Sequence, residues 1–217
     1  MAAWFLMDVA YYGINFFVPY LLQAMQVKSM VSSLSHQSHH LLSDTTLWGT
    51  FIINIFFGRR LKHLSAVVSI LAILASLGLS IQTFTSFQSG KTGPVVLGEW
   101  LSIFGQPLRF GVTIDALSVM MLLVVTIVAT MIKIYSVGYM RDDPRYSRYF
   151  AYISLFTASM LGLVLADNFI LLYIFWEGVG LCSYLLIAFW FERPEAARAG
   201  MKAFIMTRIG DTGFLIG

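Results

Sequence analysis

Charge is what this sequence has least of: Asp, Glu, Lys and Arg together make up 12% of its 217 residues. A single cysteine, Cys182, excludes an internal disulfide, and inside an apolar run it reads as a small packing residue. Proline is held to five residues, so long stretches carry no helix breaker. Glycine-rich phosphate loops, Ser-His-Asp sets, zinc-ligand spacings and histidine pairs suited to haem are absent. His36, His39 and His40 have helical metal-ligand spacing, but they sit in "KSMVSSLSHQSHHLLSDTT", which reads as a solvated Ser/His linker. No metal site is expected. The net charge of +3 is supplied by short loops, and with no basic face or aromatic platform it implies no nucleic-acid partner.

What is abundant is apolar: 58% of the residues are hydrophobic and the mean hydropathy is +0.78, a composition suited to a bilayer. A helix needs roughly 20 apolar residues to cross about 30 Å of hydrocarbon. Residues 64–87 are the cleanest span, uncharged and free of proline. The apolar runs 116–132 and 149–166 follow, with Asp115 and Lys133 flanking the first as end markers and its helix expected over 116–136. The turn "ADN" leads into 168–191, and a last helix over 201–217 is still running where the sequence ends, so the chain is expected to be cut short.

The intervening 88–115 stretch, rich in Gly and Pro with alternating apolar residues, predicts a short β-hairpin lying as a cap on the outer surface. The stretch 47–57 is about 17 Å long as a helix, too short to span by itself. Residues 1–46 read as an atypical segment. Residues 4–25 form a candidate extra membrane helix interrupted by Asp8, Asn15 and Pro19, and a polar linker follows; the pattern is not that of a secretory signal peptide. This segment is expected to pack poorly on the rest. The fold class is thus all-α, a polytopic transmembrane bundle of about five to seven helices with a short outer hairpin. Basic loops at 58–63, 139–148 and 191–202 alternate with the other connections, which places them together on the cytoplasmic side.

Three charged residues fall well inside the spans, away from their ends, where an Asp, Lys or Arg at mid-helix costs about 2.5 to 3.5 kcal/mol on insertion scales. Glu177 stands alone among the uncharged residues of 168–191. Counted from the outer end it lies about 14 Å deep, while Arg208 and Asp211, counted from Met201, lie about 10 and 15 Å deep on the antiparallel neighbour. All three can meet at one level. Arg208 and Asp211, three residues apart, can also neutralise each other. Glu177 has no opposite charge at i±3 or i±4, so its partner must come from another helix, whose approach Gly178 and Gly180 permit. Glu177 is the leading functional candidate.

The stretch "LADNFILLYIFWEGVGLCSYLLIAFWFERPEAARAGMKAFIMTRIGD", with "YSVGYMRDDPRYSRYFAYISLFTASM" and "RFGVTIDALSVMMLLVVT" before it, closely resembles the antiporter-like subunits of proton-pumping NADH:quinone oxidoreductase, respiratory complex I. The wording "WEGVG" favours the largest of them, subunit L, and the likeness covers about 170 residues from Leu47 on. The resemblance implies that residues 47–217 are the N-terminal part of an antiporter-like proton-translocating domain in a bacterial inner membrane, not competent alone. It implies that Glu177 is the family's key carboxylate, paired in full-length members with a lysine of a later helix, and that Arg208 and Asp211 match the family's "RxGD" charges.

No cofactor is expected on this chain; FMN, iron–sulfur clusters and quinone would belong to other subunits. Expected partners are those membrane-arm subunits, the bilayer and protons. Lys133 stands where many relatives carry His. Two alternatives remain: the large subunit of a multisubunit sodium/proton antiporter, which shares the helical core and the buried glutamate, and a non-functional membrane fragment.

Overall fold

The computed structural model describes residues 46–56, 64–88, 95–103 and 106–216. The expectations for 1–45, including the helix at 4–25 and its weak packing, lie outside the described residues. In chain order the elements are α1 (Thr46–Phe56), α2 (Leu64–Gln88), β1 (Val95–Ile103), β2 (Gln106–Val112), α3 (Ala116–Tyr139), α4 (Tyr146–Leu165), α5 (Phe169–Ile187) and α6 (Pro194–Ile216). Helices α2 to α5 are long and apolar enough to cross a membrane.

The helices are apolar outside and small or polar inside, the arrangement expected where lipid is the solvent and close backbone approach replaces hydrophobic burial. The buried positions of α2 are Ser65, Ala66, Ser69, Ala72, Ile73, Ser76, Ser80 and Thr83. Leu64, Val67, Leu71 and Ile81 of the same helix are exposed, as are Leu117, Met120 and Met131 of α3. Several buried hydroxyls are satisfied within their own helices. Ser80 donates to the Ser76 carbonyl at 2.9 Å, Thr126 to Leu122 at 2.7 Å and Thr157 to Ile153 at 2.8 Å, so none needs water.

Helix α4 is the most enclosed of the four, and it packs on both α3 and α5. One core cluster joins Ala72 and Ile73 of α2, Val119 and Leu122 of α3 and Ala158, Leu161 and Leu165 of α4. A second, aromatic cluster of Ala66, Met140, Tyr146, Phe150 and Phe189 closes the end that carries the α3–α4 and α5–α6 turns. There Trp190 Nε1 donates to Asp143 at 2.9 Å, and Arg145 pairs with Glu192 while its guanidinium lies 4.4 Å from the centre of the Phe191 ring.

The hairpin forms as expected, an antiparallel pair running from Val95↔Val112 to Ile103↔Gln106 with two irregularities in register. It is tied to the α4–α5 turn. Thr113 N–H donates to the Leu165 carbonyl at 3.0 Å, Val112 bridges Ala166, and the Asp167 carboxylate fills the space a side chain at Gly111 would need. The next residue, Asn168, caps α5 by accepting from Leu171 N–H at 2.8 Å.

Helix bounds depart from the sequence expectations in a consistent way. Helix α3 runs to Tyr139 rather than 136, and Lys133 is no end marker: it is wholly buried inside the helix. Helix α4 starts at Tyr146 rather than 149, because its first turn is amphipathic, with Tyr146 and Phe150 facing the core. Helix α5 stops at Ile187, and α6 begins at Pro194, seven residues before the expected 201. A proline suits that first helical position, where its missing N–H has no partner to lose.

Candidate functional site

Helices α5 and α6 are antiparallel neighbours, and their spacing is set where Gly200 meets Ala188. A Cβ on Gly200 would come within 2.8 Å of the Ala188 Cβ, so the backbones cross there in close contact. Eight residues on from Gly200 along α6 stands Arg208, and eight residues back from Ala188 along α5 stands Gly180; both are about 12 Å from the crossing. They are therefore level. The Arg208 Nη2 sits 3.1 Å from where a Gly180 side chain would begin, so the guanidinium lies over this bare stretch of α5.

From that position Arg208 Nη1 pairs with Glu177, and Nη2 lies 3.8 Å from Asp211 on its own helix. Asp211 is further held by Trp176, whose Nε1 donates to it at 2.7 Å, and the Trp176 ring stacks on Phe214. The guanidinium also lies 4.8 Å from the centre of the Phe204 ring. All three candidates are brought together, although the depth count from Met201 started α6 seven residues late. Both readings of Arg208 hold at once: it neighbours Asp211 and it is the cation on another helix that Glu177 required.

The charge balance of this cluster is its chemical content. One guanidinium faces two carboxylates, so with both ionised the group carries a net negative charge between α5 and α6. The side chains of Glu177, Arg208 and Asp211 are 24%, 30% and 10% exposed, so the cluster is partly buried rather than sealed. Gly178 of α5 faces α4, where a Cβ would meet Ser159 Oγ at 2.9 Å. Cys182 is buried and free, as a packing residue should be. No group of three His, Cys, Asp or Glu side chains among the described residues could hold a metal ion.

Residues 100–150 match the family described as NADH-ubiquinone oxidoreductase (complex I), chain 5 N-terminus. Residues 166–217, which hold Glu177, Arg208 and Asp211, match the family NADH:quinone oxidoreductase/Mrp antiporter, TM. The chain is 42% identical over 193 residues to NADH-quinone oxidoreductase subunit L of Mycobacterium tuberculosis, covering 87% of this chain and 30% of that protein. It is 48% identical over 159 residues to the chloroplastic NAD(P)H-quinone oxidoreductase subunit 5 of Chara vulgaris, covering 73% of this chain and 24% of that one. It belongs to the subunit L/chain 5 family of NADH-quinone oxidoreductases.

The chain spans between about a quarter and a third of the length of these two relatives. A Mrp complex from Dietzia sp. superposes with a TM-score of 0.66 at 24% identity, over 82% of this chain and 18% of that one, which shows the same fold. Like other members of the subunit L family, the chain is a multi-pass membrane protein.

One buried ionisable residue escaped the sequence reading. Lys133 has no exposed surface and donates to Ser154 Oγ at 3.1 Å and to the Ser69 carbonyl at 3.3 Å. Its position, six residues before the end of α3, gave it the pattern of a boundary cation. The available signal was the serine spacing on the neighbours, Ser65, Ser69 and Ser76 of α2 and Ser154 of α4, which builds a polar seam at that level.

Proposed function

We propose that this chain is part of a proton-translocating membrane-arm subunit of NADH:quinone oxidoreductase, in which Glu177 takes up and releases the proton and Arg208 and Asp211 govern its charge. The observation that carries this reading is the sharing of one guanidinium between two carboxylates within the membrane. A carboxylate holds or releases a proton according to the cations near it. Arg208 can lean toward Glu177 or toward Asp211, and whichever carboxylate it leaves binds a proton more readily. Electron transfer elsewhere in the complex would drive such shifts by moving charges against this pair.

In this reading the chain itself binds no flavin, iron–sulfur cluster or quinone, and its partners are the other membrane-arm subunits and the lipid bilayer. Residues 47–217 form the N-terminal part of the antiporter-like domain and residues 1–46 an atypical segment before it. The basic α3–α4 and α5–α6 connections, with the helix ends that flank them, face the cytoplasm of a bacterial inner membrane.

A sodium/proton antiporter subunit is the second reading, favoured by the fold shared with the Mrp complex and by the family description that names both systems. The oxidoreductase reading is preferred because the curated relatives at 42% and 48% identity carry that name.

The test is Glu177→Gln in the assembled complex in sealed vesicles. Proton translocation per electron pair is expected to fall by roughly tenfold or more while assembly and electron transfer persist. Glu177→Asp, which keeps a titratable group one methylene shorter, is expected to be milder. Normal pumping by Glu177→Gln in an assembled complex would overturn the proposed role.

A further inference from the structure

A second ionisable group sits in the membrane part of this chain, away from Glu177, and the proton-translocating reading gives it no task. Lys133 is fully buried, and its ammonium group is in none of the ion pairs among the described residues. Placing a lone ammonium in a water-free interior costs several kcal/mol that two hydrogen bonds to neutral acceptors do not offset. The described elements packed around it supply no carboxylate. Helices α1 and α2 contain no charged residue, and α4 brings the phenols of Tyr146 and Tyr149 and the exposed Arg148. Tyr149 bonds Ser136 Oγ at 3.1 Å, one turn along α3 from Lys133.

What surrounds the amine is a connected set of hydroxyls and an amide drawn from three other helices. Lys133 Nζ donates to Ser154 Oγ of α4; Ser154 Oγ in turn lies 3.4 Å from Ser69 Oγ of α2; and Ser69 Oγ accepts from Asn54 Nδ2 of α1 at 2.7 Å. Asn54 is 2% exposed, yet its Oδ1 has no hydrogen-bond partner among the described residues. A buried acceptor left open at the end of such a chain is expensive unless something donates to it. A water molecule is the smallest donor that fits that requirement.

We propose that Lys133 is a second proton-exchanging residue of this chain, passing its proton through Ser154 and Ser69 toward water at Asn54, separately from Glu177. The step balances as a relay. The ammonium gives one proton to Ser154 Oγ; Ser154, whose hydroxyl donates to the Phe150 carbonyl at 2.8 Å, turns to give its own to Ser69 Oγ at 3.4 Å; and Ser69 gives its own to the water, so each hydroxyl ends intact. The amine is left neutral and the water leaves as hydronium, carrying the proton. Reloading runs the same bonds in reverse. Lys133 of α3 bonds to α4 and α2 whereas Glu177 of α5 pairs with α6, so the two proton sites rest on different partners and can be tested independently.

This inference rests on the proton-translocating reading, and the experiment separates the two. In sealed vesicles holding the assembled complex, the parent, Glu177→Gln, Lys133→Met, Lys133→Arg and Ser154→Ala are compared for assembly, electron transfer and protons moved per electron pair. Lys133→Met removes the exchangeable proton and Lys133→Arg keeps the charge but does not release it, so both are expected to lower pumping roughly tenfold or more.

A Lys133→Met complex that pumps like the parent, or full rescue by Lys133→Arg, overturns the inference and leaves the role of Glu177 standing. A parent that moves no protons overturns the functional reading and the inference with it. Should neither Lys133 variant assemble, Ser154→Ala decides, since it deletes one oxygen from a small side chain. The pH at which pumping is half-maximal is expected to shift in that variant, whereas an unchanged profile identifies the contact as structural and overturns the proposal.

Discussion

Arg208 pairs through one guanidinium nitrogen with Glu177 of the neighbouring helix and holds the other 3.8 Å from Asp211 of its own. The pairing across helices and the pairing along the helix thus compete for the same cation. This arrangement depends on Gly180, which leaves the guanidinium a flat stretch of backbone to lie over.

Replacing Arg208 by Met should therefore be worse than losing either carboxylate, because two negative groups remain without their cation. For a fully buried pair, removing one partner costs about 3 to 5 kcal/mol. Here the Arg208 and Glu177 side chains are 30% and 24% exposed, so roughly 1 to 3 kcal/mol is expected after screening. The double variant Glu177→Gln with Arg208→Met should recover part of that loss. Thermal unfolding in lipid nanodiscs, run as a double-mutant cycle, measures it, and additive losses would show that the two residues do not interact.

Asp211 is held from two sides, and the two can be separated. Asp211→Asn keeps an oxygen for Trp176 Nε1 but gives up the charge facing Arg208, which leaves the guanidinium wholly to Glu177. Trp176→Phe does the reverse. Pumping should respond to Asp211→Asn, by less than to Glu177→Gln, whereas Trp176→Phe should lower stability by about 1 kcal/mol with little change in protons per electron pair. Equal effects on pumping from both would mean that position rather than charge matters at Asp211.

How much of this was readable in the residues depends on how each one contrasts with its neighbours. Glu177 was conspicuous because its helix holds no other charge, and the need for a partner on another helix followed from its empty i±3 and i±4 positions. The hairpin was readable from its Gly, Pro and alternating apolar residues. Lys133 was not, since a cation near the end of an apolar run has the same pattern whether it points to the headgroups or to a seam of serines on other helices. The helix starts at Tyr146 and Pro194 were missed for a related reason: polar and aromatic first turns look like loop until tertiary packing shows which face is buried.

Packing between α4 and α5 rests on a close fit at Gly162, where a Cβ would fall 2.5 Å from the Phe175 ring edge. Phe175 is 7% exposed and Gly162 is buried, so neither can move aside freely. Gly162→Ala gains up to about 1 kcal/mol in helix propensity but overpacks a tight contact, at about 1 to 3 kcal/mol. Overpacking is expected to win, giving a net loss of about 1 kcal/mol in nanodisc unfolding. The pair Gly162→Ala with Phe175→Leu should restore the parent value, and a single Gly162→Ala variant as stable as the parent would show that the helices adjust at no cost.

The start of α3 offers a pH-dependent test outside the membrane span. Asp115 caps the helix by accepting from Ser118 N–H at 2.7 Å, and that backbone hydrogen bond holds its carboxyl below the ordinary aspartate value of 3.8. A group whose value is lowered by folding contributes stability above its unfolded value, and the contribution disappears as pH falls through the folded one. Protection of the Ser118 and Val119 amides, corrected for intrinsic exchange, should then be flat from neutral pH to about 4 and decline below it. Asp115→Asn, an uncharged cap, should remove the decline, and Asp115→Ala should lower protection at all pH values, by about 1 kcal/mol or less at so exposed a position. Protection in the parent that stays level through the acid range would show that the cap works through its oxygen alone and not through its charge.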